Sequence, residues 1–410
     1  MELATTLTSQ TVQNAVREVG INPKYWYPVG WANELKPMGI MPVMIWQQAI
    51  VIFRDTNGQI HALEDACPHK GVALHKGKVQ GCHLTCAYHG WEFDSSGKCV
   101  NIPYLPKGQK LPRAQARSYP VQEKYNLIWV FPGEQALAAS CQPPEMPEFD
   151  HPDYLMVTVT ARMQAHFSIC NENSMDVFHG FLHQNLQGWF NPVLTSLRET
   201  EASVCAEYDV SYKGRMAKFL GLCDRADQVT TRTISVNYQY PHYDTNLKGV
   251  SGVYLMRLPV TPTASRSFAL FFLKIRLPKW FRKLFEPTLQ SLLRNFVFMK
   301  FLAQDIEMMQ SEQQTYLKNP QRRYVEINPA IIAIERLIIR QYEQFMQQSS
   351  QLPNNQHSDL QASQSVSVLA QDVVEPSSPV AAPTPQELAV ATPAVPPSQT
   401  EPTQENSLVG

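Results

Sequence analysis

Two short cysteine and histidine pairs constrain this chain more than any other feature in it. Cys67-Pro68-His69 and Cys86-Ala87-Tyr88-His89 are separated by 16 residues, and each pair offers one thiol and one imidazole. A [2Fe-2S] cluster of mixed ligation needs two thiolates on one iron and two imidazoles on the other, which two such loops supply. Tetrahedral zinc accepts a set of two cysteines and two histidines as well. Zinc modules usually pair like with like, as C-x-x-C and H-x-x-x-H, whereas these pairs are mixed, and that favours the cluster. A chain with this feature must fold so that two loop tips far apart in sequence meet.

The pattern around the pairs predicts how they meet. Residues 46 to 53 and 60 to 64 read as strands joined by a hairpin turn at Asp55-Thr-Asn-Gly58, within an all-β stretch from about 26 to 132. Gly71, Gly77, Gly81 and Gly90 supply tight bends near the pairs. After the Pro-rich connection of Pro143, Pro144, Pro147 and Pro152 the character changes. Strands are expected at 154 to 163, 196 to 212, 229 to 241, 250 to 260 and 265 to 277. Helices are expected at 168 to 187, 288 to 318 and 329 to 344, the last opened by Asn328 and Pro329. The fold class is therefore α+β, with an antiparallel sheet packed against helices. In the first of these helices His179 and His183 stand four apart, so an α-helix would project both imidazoles from one face.

Beyond the pairs themselves, Cys67-Pro-His-Lys-Gly, Cys86-Ala-Tyr-His-Gly-Trp-Glu-Phe93, Ser96-Gly-Lys-Cys-Val-Asn-Ile-Pro103 and Leu127-Ile-Trp-Val-Phe-Pro-Gly133 form a recognisable set. It resembles the Rieske domain of the ring-hydroxylating oxygenase α-subunit family, densely over residues 25 to 135. Rieske proteins of cytochrome bc-type complexes carry an extra cysteine in each ligand loop. Val72 and Tyr88 stand at those places here, which speaks against a respiratory or photosynthetic carrier.

The resemblance implies an N-terminal Rieske domain holding the cluster through Cys67, His69, Cys86 and His89, followed by a helix-grip catalytic domain. It also implies a mononuclear non-haem Fe(II) held by His179, His183 and a carboxylate. Asp305 and Glu307 compete for that place, and the family pattern of an Asp with a following acid and Gln matches Asp305, with Glu312 and Gln313 behind it. The family's Asp-x-x-His-x3/4-His segment matches Asp176, His179 and His183 in its shorter form. Asp176 would bridge His89 of one subunit to His179 of the next in a head-to-tail homotrimer. Asn173 either lines the iron pocket or is an ordinary half-buried polar residue. The implied activity is hydroxylation or oxidative demethylation of a small hydrophobic substrate, aromatic or tetrapyrrole-like. The chain has some likeness to the chlorophyllide a oxygenase and pheophorbide a oxygenase branch, although Cys223 is its last cysteine and no C-x-x-C follows. The alternative is a Rieske electron-transfer or redox-sensing protein without oxygenase turnover.

Composition sets the remaining bounds. The chain has 410 residues, 44% hydrophobic, which divides into an extension at 1–24, a Rieske domain at 25–140, a catalytic domain at 141–345 and a Pro/Gln/Ser-rich tail at 346–410, read as disordered. All 35 Lys and Arg precede residue 346, together with 30 of the 36 acids. That small positive excess suits docking to an acidic electron carrier better than nucleic acid. No G-x-G-x-x-G follows a strand, so electrons must come from a separate ferredoxin or ferredoxin reductase. The opening residues lack the basic and apolar regions of a secretory signal, and no apolar run is long enough to span a membrane, so a cytoplasmic protein is expected. The basic and apolar run Lys279-Trp-Phe-Arg-Lys-Leu-Phe285 would suit peripheral membrane contact.

Overall fold

The computed structural model describes residues 9–183, 189–219, 221–247, 249–274 and 279–350. Short β-branched and aromatic runs in the front third pair as three small antiparallel sheets. Strands β1 (Tyr27–Trp31), β10 (Val121–Lys124) and β11 (Leu127–Val130) form the first, in the order β1-β11-β10. The second is β2-β3-β4-β9, with β2 at Ile40–Ile45, β3 at Gln48–Arg54, β4 at Ile60–Glu64 and β9 at Ser118–Tyr119. The third is β5-β6-β7-β8, comprising Lys78–Gln80, His83–Thr85, Glu92–Phe93 and Cys99–Asn101. The hairpin expected at Asp55-Gly58 is present: the Asp55 carboxylate accepts from Asn57 N and Gln59 N, and Gly58 takes φ +81°.

A seven-stranded antiparallel sheet follows, in the order β12-β18-β17-β16-β15-β14-β13. Its strands are Tyr154–Met163, Trp189–Glu199, Ser203–Tyr212, Thr230–Gln239, His242–Leu247, Ser251–Thr261 and Ala264–Lys274, numbered β12 to β18 in that order. Two departures from the sequence reading occur here. The single strand expected at 196 to 212 is a hairpin, β13 and β14, because the Thr200 hydroxyl accepts from the amides of Ala202 and Ser203 and turns the chain without glycine or proline. Strand β16 has no counterpart in the sequence reading, since His242-Tyr-Asp-Thr-Asn-Leu247 has no clean apolar alternation.

The helices are α1 (Ser9–Ala15), α2 (Phe167–Met175), α3 (Arg215–Phe219), α4 (Lys279–Leu293), α5 (Met299–Lys318) and α6 (Pro329–Ser350). The helix expected over 288 to 318 starts earlier and is interrupted by a π-turn at Arg294–Phe298. Helix α6 begins where Asn328 caps it, its side-chain oxygen accepting from Ala330 N at 3.0 Å. It runs to Ser350, so the first residues assigned to the tail belong to the helix, and 351–410 lie outside the described residues. Among the described residues no helix is long and apolar enough to cross a membrane.

The first sheet and the large sheet share one core, in which Trp26, Tyr27 and Trp129 lie in the same cluster as Phe167, Tyr238 and Phe268. Trp46 N and Gln47 N donate to Pro259 O and Val260 O at 2.8 and 2.7 Å. A second core of Val51, Phe53, Leu63, Leu84 and Phe93 lies with Cys67 and Cys86.

The segment read as an N-terminal extension is part of this packing. Arg17, just beyond α1, is buried and forms a two-pronged ion pair with Glu172 of α2, and it also reaches Ser168 and Glu312. Nearby, Glu335 of α6 is fully buried and neither carboxyl oxygen has a hydrogen-bond partner among the described residues. Burial, then the charge of Glu172, pushes its acid up to about 9, against the pull of Arg17. A raised acid favours the fold fully below the ordinary glutamate value, and that contribution is lost as pH climbs to about 9. Glu335→Gln should therefore gain on the wild type between pH 5 and pH 9 by on the order of 1–3 kcal/mol, read from denaturant titrations. A difference constant across that range would show that Glu335 does not titrate this way.

Candidate active site and metal centres

The two Cys/His loops are built alike. Cys67 N donates to Val72 O and Gly71 N to Cys67 O, both at 2.8 Å; Cys86 N donates to Trp91 O at 2.8 Å and Gly90 N to Cys86 O at 3.1 Å. Each loop turns at a glycine with φ +70°, Gly71 in one and Gly90 in the other. A Cβ at Gly90 would also press on Pro103 at 3.0 Å. This repeat brings the His69 and His89 rings to 4.7 Å between centroids, with Trp91 stacked on His69.

The cysteines are buried and the imidazoles half-exposed. Burial pushes the Cys67 thiol up to about 11, with Cys86 adding to the shift. Such thiols ionise when bound to iron. Two thiols inside and two imidazoles outward is the donor set of a Rieske cluster, so the residues present fit that group. Tyr88 is 63% exposed and Val72 half-buried, so neither place resembles half of a disulfide.

The second centre joins three elements. The sequence places His179 and His183 on one α-helix over 168 to 187; instead α2 stops at Asp176, and Val177–His183 is a tight 3-10 stretch. The Asp176 carboxylate accepts from Phe178 N at 3.0 Å and so competes with helix continuation. Residues 184 to 187 of the expected helix lie outside the described residues. Gly180 is required within the turn, since a Cβ there would overlap the indole of Trp189. Trp189 in turn packs against both imidazoles.

Asp305 projects from α5 between the two histidines. Its Oδ1 lies 2.9 Å from His183 Nε2 and 3.6 Å from His179 Nε2. One donor atom from each of His179, His183 and Asp305 falls within 4.8 Å of the others. Glu307 is exposed and is absent from this cluster. His183 Nδ1 meets Gln304 Oε1 at 3.0 Å, which assigns the proton to Nδ1 and leaves the Nε2 lone pair facing Asp305. Lone pairs therefore converge on one point, and a cation there resolves the clash. Burial holds His179 below its ordinary value, in the neutral form a metal requires. Ferrous iron fits this set of two imidazoles and one carboxylate.

Asn173 approaches Asp305, with Nδ2 donating to Oδ1 at 3.4 Å. Asp176 is half-buried and accepts from Asn328 Nδ2 at 3.2 Å. Sequence reasoning missed Gly180, Trp189, Gln304 and Phe301, whose ring centroid lies 3.8 Å from that of His183. Gln304 alone left a signal, as the amide directly before the candidate ligand.

Beside the triad opens a cavity of about 220 Å³, lined mainly by apolar residues such as Val210, Ile234, Val253, Leu255, Phe271 and Phe298. His179, Asp305, Asn173 and Asp176 border it as well.

The comparisons agree with this geometry. Residues 25–120 match the profile of the Rieske [2Fe-2S] domain, and residues 163–338 that of the vanillate O-demethylase oxygenase C-terminal domain. A 4beta-methylsterol monooxygenase of Methylococcus capsulatus is 32% identical over 343 residues, spanning 81% of this chain and 91% of that protein. The chain belongs to the Rieske non-haem iron oxygenase family. Pheophorbide a oxygenase of Oryza sativa is 29% identical over 259 residues, spanning 59% of this oxygenase and 48% of the rice protein. Among solved structures, dicamba monooxygenase bound to 3,6-dichlorosalicylic acid superposes with a TM-score of 0.65 at 21% identity, covering 82% of this chain and 99% of that one. The resident groups of this Rieske oxygenase are one [2Fe-2S] cluster and one mononuclear non-haem iron.

Asp305→Ala should lose the mononuclear iron while keeping the cluster's absorption, and Glu307→Ala should lose neither. Gln304→Ala should weaken iron binding by roughly 10- to 100-fold, because His183 loses the partner that fixes its tautomer. Iron titration of each purified variant checks this, and iron loss in Glu307→Ala would overturn the choice of carboxylate.

Proposed function

We propose that this chain is the terminal oxygenase of a multi-protein system that hydroxylates or oxidatively demethylates an apolar ring substrate bound in the cavity beside His179, His183 and Asp305. The observation that carries this reading is the opening of a metal-binding triad directly onto that cavity. A Rieske protein that only carries or senses electrons needs neither. The ring-bearing compounds named for the relatives, a methylsterol, pheophorbide a and dicamba, point to the same substrate class.

Cys67, His69, Cys86 and His89 hold the cluster, in a unit spanning about residues 25–140. His179, His183 and Asp305 hold the iron, in a unit spanning about 141–345. When bound, the two centres supply one-electron storage and a Lewis-acidic place for O2. The protein's own part is to exclude water with Trp189, Phe298 and Phe301, and to fix the ligand tautomer through Gln304. Relatives named as the oxygenase component or iron-sulfur subunit of a system support a separate ferredoxin or reductase as electron donor. The test is O2 uptake by the reduced protein across a panel of apolar ring compounds. Uptake coupled to hydroxylated or demethylated product is expected, and reduced protein that never couples uptake to product would defeat the reading.

The half-buried Asp176 and half-exposed His89 suit a contact between copies, in which Asp176 of one subunit joins its own His179 to His89 of the next in a ring of three. Asp176→Asn keeps the shape and removes the charge that orients both imidazoles. It should retain the cluster spectrum and most of the mononuclear iron, yet form product at least about 10-fold more slowly in a single turnover. Wild-type single-turnover rates in the variant, or full activity of a monomer, would exclude the bridge.

A further inference from the structure

Arg257, on β17, pairs with no acid among the described residues. It is 4% exposed, and no carboxylate of a described residue lies within ion-pair distance of its guanidinium. Its partners are neutral: Nε donates to Asn171 Oδ1 at 3.1 Å, Nη1 to Ser267 Oγ at 2.9 Å, and Nη2 to Cys170 O at 2.6 Å and to Ser174 Oγ. Burying a cation without a counter-ion is costly, so buried guanidinium groups are ordinarily paired with carboxylates.

The placement of this cation points to its missing partner. Arg257, Ser174 and Ser267 all line the cavity, and the guanidinium bonds both serines. Among the described residues Nη1 makes a single hydrogen bond, to Ser267, which leaves its second N–H without an acceptor there. The other charged residues on the wall are Asp176 and Asp305. Asp176 accepts from Asn328 and from the Phe178 amide, and Asp305 faces the two imidazoles. Asp305 attracts Arg257 from beyond ion-pair distance, and a divalent ion on the triad would take up that charge.

We infer that Arg257 forms an anion subsite within the cavity, and that the substrate class is an apolar ring system bearing a carboxylate, which the free Nη1–H and the guanidinium charge receive while the ring contacts the aliphatic and aromatic wall. This rests on the reading of the cavity as the substrate site. Recognition of this kind also sets orientation. The carboxylate end is fixed at the β17–β18 wall, so the carbon presented to the triad is one some distance along the ring.

The probes are 2-naphthoate and its neutral isostere 2-naphthamide, with binding to the iron-loaded protein measured by calorimetry. The wild type should prefer naphthoate by at least about 10-fold, as a charge-assisted bond in a water-poor site implies. Arg257→Gln should bring that ratio close to one, with naphthoate weakened far more than naphthamide. A merely structural role for Arg257 would weaken both ligands together. Ser267→Ala, a small change that frees a second N–H on Nη1, should strengthen naphthoate several-fold more than naphthamide, and it serves as the test should Arg257→Gln not fold. Binding of both probes without preference in the wild type, an unchanged ratio in Arg257→Gln, or no selective gain in Ser267→Ala overturns the anion subsite while leaving the oxygenase reading intact. Failure of both probes to bind overturns the cavity as the substrate site, and the subsite with it.

Discussion

Two buried arginines hold α2, and the iron site depends on that grip. The helix is polar, Phe-Ser-Ile-Cys-Asn-Glu-Asn-Ser-Met, yet Ser168, Asn171 and Glu172 are all buried. Left unpaired, each would cost about 1–3 kcal/mol, and more for the carboxylate. Arg17 reaches Ser168 and Glu172 from the N-terminal side, while Arg257 reaches Cys170 O, Asn171 and Ser174 from the sheet. Removing one partner of the Arg17–Glu172 pair would leave a buried charge uncompensated, a loss of about 3–5 kcal/mol. Because Arg17 also reaches Glu312 on α5, the same side chain ties together the element that leads to His179 and the element that carries Asp305.

That tie explains how three candidate ligands from distant stretches converge. His179 and His183 sit on a 3-10 turn that only makes sense against Trp189 and Gly180. Asp305 comes from a helix more than a hundred residues later, and Gln304 beside it fixes the ring it faces. The cluster loops need no such long-range fastening. Each closes on itself through the same pair of backbone bonds and the same left-handed glycine; the first follows β4 and the second joins β6 to β7.

The cavity combines the two kinds of wall that a selective oxygenation requires. An apolar surface gives binding energy without direction, and a few polar groups give direction. Here the polar groups are the triad with Asn173, and Arg257 with its serines.

Local chemistry made much of this legible in advance. Cys67, His69, Cys86 and His89 are within short loops whose spacing already states their ligand set, and Asn328 with Pro329 fixes the start of α6 by capping alone. The preference for Asp305 over Glu307 also stood in the sequence through the resemblance; the structure places Asp305 beside the two histidines and Glu307 in solvent. What the sequence left open depends on contacts between residues far apart. The helix expected at 168 to 187 breaks because Asp176 bonds the Phe178 amide and Trp189 occupies the space beside Gly180. The supposed N-terminal extension became part of the core because Arg17 found Glu172, a partner 155 residues away. Arg257, one basic residue in an apolar strand, gave no sign of its place in the cavity wall. Ligand spacing and capping are encoded within a turn or two of chain and can be read there; the pairing of buried charges and the shape of a cavity exist only once distant segments have packed, and those were decided by the tertiary structure.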